Sequence, residues 1–339
     1  MKTGKRLALL IALFLFATTN AMAESVTLRL ADQFPLTHFA SKTGSQAFIK
    51  KVDEMSNKTI KIKHFPAQQL AKASGMLDAV KNRVADIAVC GVVYVSDRMP
   101  LSGAAMLPGL FNEVTTGTRA YTKLANKELL EAEFLRHGVR PLWVSLAPVY
   151  QLQLTAQESI TSLDDIKGKK LRTAGAIMEL TAKALGATPV TIGPSDFYLS
   201  LQRGTVDGAI YTIPGWRAYS LQEVLNSSTV NAGLGSVAFA TLINEDVWQG
   251  LSPETQSILR KAGEATGTGA AAIFDRVVAK SNEKMKAAGK NVYALSPAVL
   301  EQMSVRLATV EKVWLDQMKN RNLPGDKILE AFKRYLNEQ

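Results

Sequence analysis

Ser162-Leu-Asp-Asp-Ile-Lys-Gly-Lys-Lys-Leu-Arg-Thr173, then Leu185-Gly-Ala-Thr-Pro-Val190, then Phe197-Tyr-Leu-Ser-Leu-Gln-Arg-Gly-Thr-Val-Asp-Gly208, is the stretch that decides the fold. Lys167-Gly168-Lys169 makes a turn, Lys170-Leu171-Arg172 opens a strand, and a helix is predicted over about 178–185. Arg172 thus falls near the carboxyl end of a short strand, where α/β sheets hold their ligands. A guanidinium there offers a rigid fork of donors that matches a carboxylate, two hydrogen bonds at once.

Outward from this stretch the apolar period alternates between strand-like and helix-like, the mark of an α/β protein. Towards the N-terminus, strands are predicted over 26–31, 59–64, 85–90 and 140–145, and helices over 39–55, 75–82 and 114–137. Beyond Val149, strands are predicted over 150–155, around Arg172, over 207–211 and over 236–243. Ser252 caps a helix whose first residue is Pro253, a strong start signal. That helix extends to about Ala288, with Gly263, Gly267 and Gly269 loosening its middle, and helices over 297–319 and 325–336 close the chain. The order predicts two α/β lobes between which the chain crosses more than once.

Asp165–Arg172 reads D-I-K-G-K-K-L-R and Tyr198–Gly208 reads Y-L-S-L-Q-R-G-T-V-D-G. Both segments, in this order and at this spacing, resemble the periplasmic solute-binding proteins of TRAP transporters, the DctP-type or dicarboxylate-binding family. Weaker similarity covers most of the chain, including His64-Phe-Pro-Ala-Gln-Gln-Leu70 and Ala105-Met-Leu-Pro-Gly-Leu-Phe111. The resemblance implies a two-lobe binding protein, with lobe I over 24–148 plus 236–280 and lobe II over 149–235 plus 281–339. It implies a long helix, here Pro253–Ala288, spanning both lobes, and a cleft that closes on the ligand by hinge motion. It implies that Arg172 clamps the carboxylate of an organic acid, which is handed to TRAP membrane subunits for uptake driven by an ion gradient.

Departures from the family pattern narrow the ligand. A second basic residue common in the family about twenty positions before the first is replaced by Leu152. An asparagine three residues after Val-Asp-Gly is replaced by Tyr211, and an acidic residue after the third strand is lost near Gly91. One charged anchor remains while polar partners disappear. A sugar acid against Leu152 would leave hydrogen bonds unmet, at roughly 1–3 kcal/mol each. The expected ligand is therefore a monocarboxylate with an apolar or aromatic body, walled by Phe34, Tyr94, Tyr150, Tyr211 and Trp216. Phe197 and Tyr198 are expected in helix packing, and Asp207 in a turn with Gly208.

Residues 1–23 read as a targeting segment: Lys2, Lys5 and Arg6, then the apolar run Leu7–Ala17, then Ala21-Met22-Ala23 as a cleavage site. The run is too short to span a bilayer, which takes roughly 20 residues. The mature chain is expected to start near Glu24 and to reside in the periplasm, meeting the membrane only through its transporter. Without the three basic residues of that segment, 37 Lys and Arg face 30 Asp and Glu. The scattered +7 lacks the basic stripe of a nucleic-acid binder. Cys90, the single cysteine, allows no intramolecular disulfide and reads as a buried small hydrophobe.

Catalytic chemistry is thin. His38, His64 and His137 lack metal-ligand spacing, no Gly-x-Ser-x-Gly elbow occurs, and Gly267-Thr-Gly269 imitates a dinucleotide fingerprint only inside a helix. No cofactor, metal or enzymatic activity is expected. The alternatives are a binding protein of another importer or a sensor, and, in a different class, an exported enzyme with paired acid and base residues.

Overall fold

The computed structural model describes residues 26–338; the expected targeting segment lies outside them. The chain runs Val26–Asp32 (β1), Phe39–Thr43 (α1), Ser45–Met55 (α2), Ile60–Phe65 (β2), Met76–Lys81 (α3), Ile87–Gly91 (β3), Val114–Asn126 (α4) and Val139–Leu146 (β4). It continues as Gln151–Leu154 (β5), Lys170–Thr173 (β6), Ala176–Ala184 (α5), Thr188–Thr191 (β7), Phe197–Gln202 (α6), Gly208–Tyr211 (β8) and Ser227–Thr229 (β9). Ala238–Asn244 (β10), Glu245–Gln249 (α7), Pro253–Ala287 (α8), Asn291–Tyr293 (β11), Pro297–Asn320 (α9) and Gly325–Asn337 (α10) complete it.

These strands form two sheets, β2-β1-β3-β10-β4 and β11-β9-β5-β8-β6-β7. In the first, β1 lies parallel to β2 and β3, and β10 runs antiparallel between β3 and β4. In the second, β6 is parallel to β7 and β8 while β5 is antiparallel to β8 and β9. The chain passes between sheets after β4, after β9 and after α8, the two-lobe α/β architecture read from the sequence. The division of residues 281–339 is finer than the single assignment to lobe II: β11 extends the second sheet and α9 packs on α5, but α10 lies against α4 of the first lobe.

Helix α8 is continuous over 35 residues, about 50 Å at 1.5 Å per residue. The Ser252 hydroxyl accepts the Thr255 N–H at 3.2 Å, with Pro253 in the first turn. Its glycines do not interrupt it. A Cβ on Gly263 would stand 2.3 Å from the Leu142 carbonyl oxygen, so the bare backbone lets α8 settle onto β4.

The helices expected over 39–55 and 114–137 are interrupted. The first divides at Gly44. In the second, Lys127 leaves helical geometry and a wide turn at Leu130–Phe134 follows. That turn carries Glu133 inward, where its carboxylate accepts the N–H groups of Leu101 at 2.7 Å and Ser102 at 3.1 Å. Inside the first lobe Cys90 is fully buried, and burial pushes its thiol up to about 12.

Candidate functional site

The Asp207 carboxylate accepts the Lys170 N–H at 2.7 Å and ties the start of β6 to β8. Two residues on, at the carboxyl end of β6, Arg172 is 2% exposed. Its Nε–H donates to the Ile192 carbonyl at 3.0 Å, and Nη2 donates to the Tyr94 hydroxyl of the opposite lobe at 3.4 Å. The guanidinium lies over the Phe197 ring, 4.4 Å from its centroid, with Tyr211 at 5.9 Å. None of the ion pairs among the described residues involves Arg172. Of the five N–H donors of a guanidinium, three are left for a ligand.

Around this cation the cleft is aromatic. Tyr211 meets Tyr150 edge-on at 5.7 Å and Phe197 edge-on at 5.1 Å. Burial raises the phenol pKa of Tyr150, Tyr211 and Tyr219 well above the ordinary value, so all three remain neutral hydroxyls. From the first lobe come Gln33, Phe34, His38, Phe39, Tyr94 and Phe239. The loop that carries Phe34 is fixed by buried Asp32, which accepts the Phe34 N–H at 2.9 Å and the Ser45 hydroxyl at 2.7 Å and pairs with His64 Nε2 at 3.1 Å. His64, at the end of β2, thus supports the site from behind.

The lobes are drawn together. Gly175, with φ +76°, caps α5, and a Cβ there would stand 2.0 Å from the Val93 carbonyl oxygen across the cleft. The cavity left between them is only about 30 Å³, so admission of a ligand requires the lobes to part.

Of the residues singled out in the sequence, Arg172, Tyr211, Tyr94, Tyr150 and Phe34 line this cavity together. Leu152, Trp216 and Gly91 do not. Leu152, 1% exposed, is part of the hydrophobic core and is not among the residues lining the cavity. Trp216 is fully buried and donates from its indole nitrogen to Gln153 Oε1 at 2.8 Å, an internal partner that turns it away from the cleft. Gly91 lies behind the wall, where a Cβ would meet Tyr94 at 2.9 Å and Gln33 at 3.0 Å, so its bareness seats those two side chains. Phe197, expected in helix packing, is the floor under the guanidinium. Sequence reasoning also passed over Gln33, His38, Phe39, Tyr219, Met178 and Phe239. For Phe197 and His38 a signal existed: each stands at a helix start in a segment following the carboxyl end of a strand.

The model of bacterial extracellular solute-binding protein, family 7, matches residues 36–318. This chain belongs to that family. Family 7 includes the DctP-type proteins that the sequence resembles, and the two-lobe architecture agrees. Ectoine-binding periplasmic protein TeaA of Halomonas elongata is 25% identical over 297 residues, covering 86% of this chain and 85% of its own. A TRAP periplasmic solute-binding protein from Bordetella bronchiseptica with bound (R)- and (S)-mandelate superposes with a TM-score of 0.82 at 23% identity, covering 92% of this chain and 98% of that one. A marine metagenome TRAP solute-binding protein specific for aromatic acid ligands, in complex with 3-hydroxybenzoate, superposes with a TM-score of 0.86 at 23% identity and the same two coverages.

Proposed function

We propose that this family 7 protein captures a monocarboxylate with an apolar or aromatic body between its lobes and presents it to TRAP membrane subunits. The observation that carries this reading is Arg172, a guanidinium 2% exposed and without an acidic partner among the described residues. Burying a charge is costly unless a counter-charge and hydrogen bonds compensate it. A ligand carboxylate supplies both at once, through the donors left free by Ile192 and Tyr94. The surrounding phenyl and phenol rings favour an aromatic or apolar body over a hydroxyl-rich one, and the acids bound by the Bordetella and marine proteins are of that kind.

In this reading the role is capture and release without chemical change. The chain works outside the cytoplasmic membrane once its targeting segment is removed, and it meets the membrane through the transporter alone. No helix among the described residues is long and apolar enough to cross a membrane. Lobe I holds the first sheet and lobe II the second; closure brings Tyr94 onto Arg172, and opening releases the acid.

Thermal unfolding of residues 24–339 against aromatic, aliphatic keto, dicarboxylic and sugar acids, each beside its amide, tests the proposal. An acid at about 100 times its Kd adds about 2.7 kcal/mol. Stabilisation by an aromatic or apolar acid and not by its amide is the expected result. Equal stabilisation by both, or none by any acid on ligand-stripped protein, overturns it.

A further inference from the structure

The cleft contains a second polar group that the carboxylate clamp leaves unused. His38 is 2% exposed and caps α1, where its Nδ1 accepts the Ala40 N–H at 3.1 Å. An imidazole whose Nδ1 accepts carries its proton on Nε2 when neutral. Burial holds it neutral, with the imidazole pushed down to about 3. The ring lies between Phe34, stacked at 4.3 Å with 13° between planes, and Phe39, stacked at 4.5 Å. Its faces are therefore covered and its rotation fixed, leaving only an edge. Nε2 on that edge is buried and has no hydrogen-bond partner, and the residue lines the same cavity as Arg172.

A buried donor without an acceptor is uncommon in folded proteins, and each instance calls for a reason. The histidine cannot relieve itself by flipping its ring without losing the Ala40 cap, nor by tilting the ring without losing the two stacks. It does not belong to the Arg172 cluster of Phe197, Tyr211 and Tyr94; its neighbours are Phe34, Phe39 and Tyr219 at 5.5 Å. As a neutral donor it recognises an uncharged oxygen better than it competes with a guanidinium for the carboxylate.

We infer that His38 Nε2–H donates to a second, uncharged oxygen on the ligand, so that this cleft selects acids carrying a hydroxyl or carbonyl acceptor besides the carboxylate. This rests on the carboxylate reading of Arg172 and adds a specificity determinant from the opposite lobe. A site built to hydrogen-bond an oxygen rejects the analogue that lacks it, because its buried donor stays unpaired. The preference expected from one such bond is about ten- to a hundredfold in Kd.

Calorimetry on ligand-stripped protein reads this with matched pairs: benzoate beside 2-, 3- and 4-hydroxybenzoate, phenylacetate beside mandelate and phenylpyruvate, and each acid beside its amide. Wild type is expected to prefer an oxygen-bearing member over its parent by about ten- to a hundredfold. His38→Asn keeps the α1 cap, and His38→Phe keeps the stack; both lack Nε2–H. Each is expected to bring that pair within about threefold, chiefly by weakening the oxygenated acid, whereas His38→Gln, which offers an amide N–H from the same region, restores part of the preference. Parent acids binding as tightly as every oxygenated partner in wild type, or a preference that survives in both His38→Asn and His38→Phe, overturns the inference while leaving the carboxylate reading intact. Amides binding as well as acids, or no acid binding, overturns both.

Discussion

Replacing Arg172 by Met separates charge from shape at the centre of the cleft. Methionine is long, apolar and adaptable, and fills much of the same space above Phe197. With ligand bound, the variant leaves a carboxylate buried without its cation, and breaking a buried pair in this way costs about 3–5 kcal/mol. At about 1.4 kcal/mol per tenfold this is a loss of roughly a hundred- to several-thousandfold in affinity. Without ligand the balance differs. The substitution removes hydrogen bonds to Ile192 and Tyr94 at 3.0 and 3.4 Å, but also a buried charge with no acidic partner. Replacing buried ionic groups by apolar ones is often neutral or stabilising. The ligand-free variant should therefore unfold within about 1–2 kcal/mol of wild type. Arg172→Lys keeps the charge and loses the fork, and should fall between, at roughly ten- to a hundredfold weaker binding. Calorimetry on ligand-stripped protein gives the affinities, and urea unfolding gives the stabilities. Binding of Arg172→Met within about threefold of wild type, or a collapse of its stability with affinity retained, would refute the reasoning and make Arg172 a structural residue.

Two further outcomes follow from the same geometry. Gly175→Ala forces a Cβ to within 2.0 Å of the Val93 carbonyl at φ +76°, which costs roughly 1–3 kcal/mol in backbone strain alone. It should weaken ligand binding and leave the liganded protein more extended in small-angle scattering; unchanged affinity and compaction would remove Gly175 from closure. The second concerns pH. His38 sits at about 3 in the folded chain, its imidazole depressed by burial, against an ordinary 6.5. Between these values the unfolded chain binds a proton that the folded chain does not. Stability should therefore be fully present above about pH 6.5 and be lost as pH falls, by up to about 1.4 kcal/mol per unit. His38→Phe should flatten that part of the slope between pH 7 and 5 in urea midpoints, and parallel wild-type and variant curves would contradict it.

Much of the fold was legible because local signals agreed with the global one. The Ser252-Pro253 start, the continuous apolar run ending at Cys90 and the Lys167–Arg172 turn-and-strand each read correctly without tertiary information. The shortest strands did not. β9 is Ser227-Ser-Thr229, wholly buried yet made of hydroxyl residues that resemble a loop, with Thr229 Oγ1 satisfied by Gln151 at 3.0 Å. β7 holds Pro189, which is tolerated because the strand lies at the sheet edge. In the cleft, a lone arginine inside a specific motif could be found from the chain alone. Leu152 and Trp216 could not be placed, because whether an apolar side chain faces core or cleft depends on strand pairing and on partners such as Gln153, distant in sequence. His38 was visible as a residue, but the Nε2 left without a partner is a property of packing alone.

The most direct measurement is a crystal structure of the protein with a stabilising acid bound. The carboxylate should lie across the free Nη donors of Arg172, with oxygen–nitrogen distances of about 2.7–2.9 Å, the acid's body against Phe197, Tyr211 and Phe34, and the lobes closed. A carboxylate bound elsewhere, with Arg172 still held only by Ile192 and Tyr94, would contradict the account at its centre.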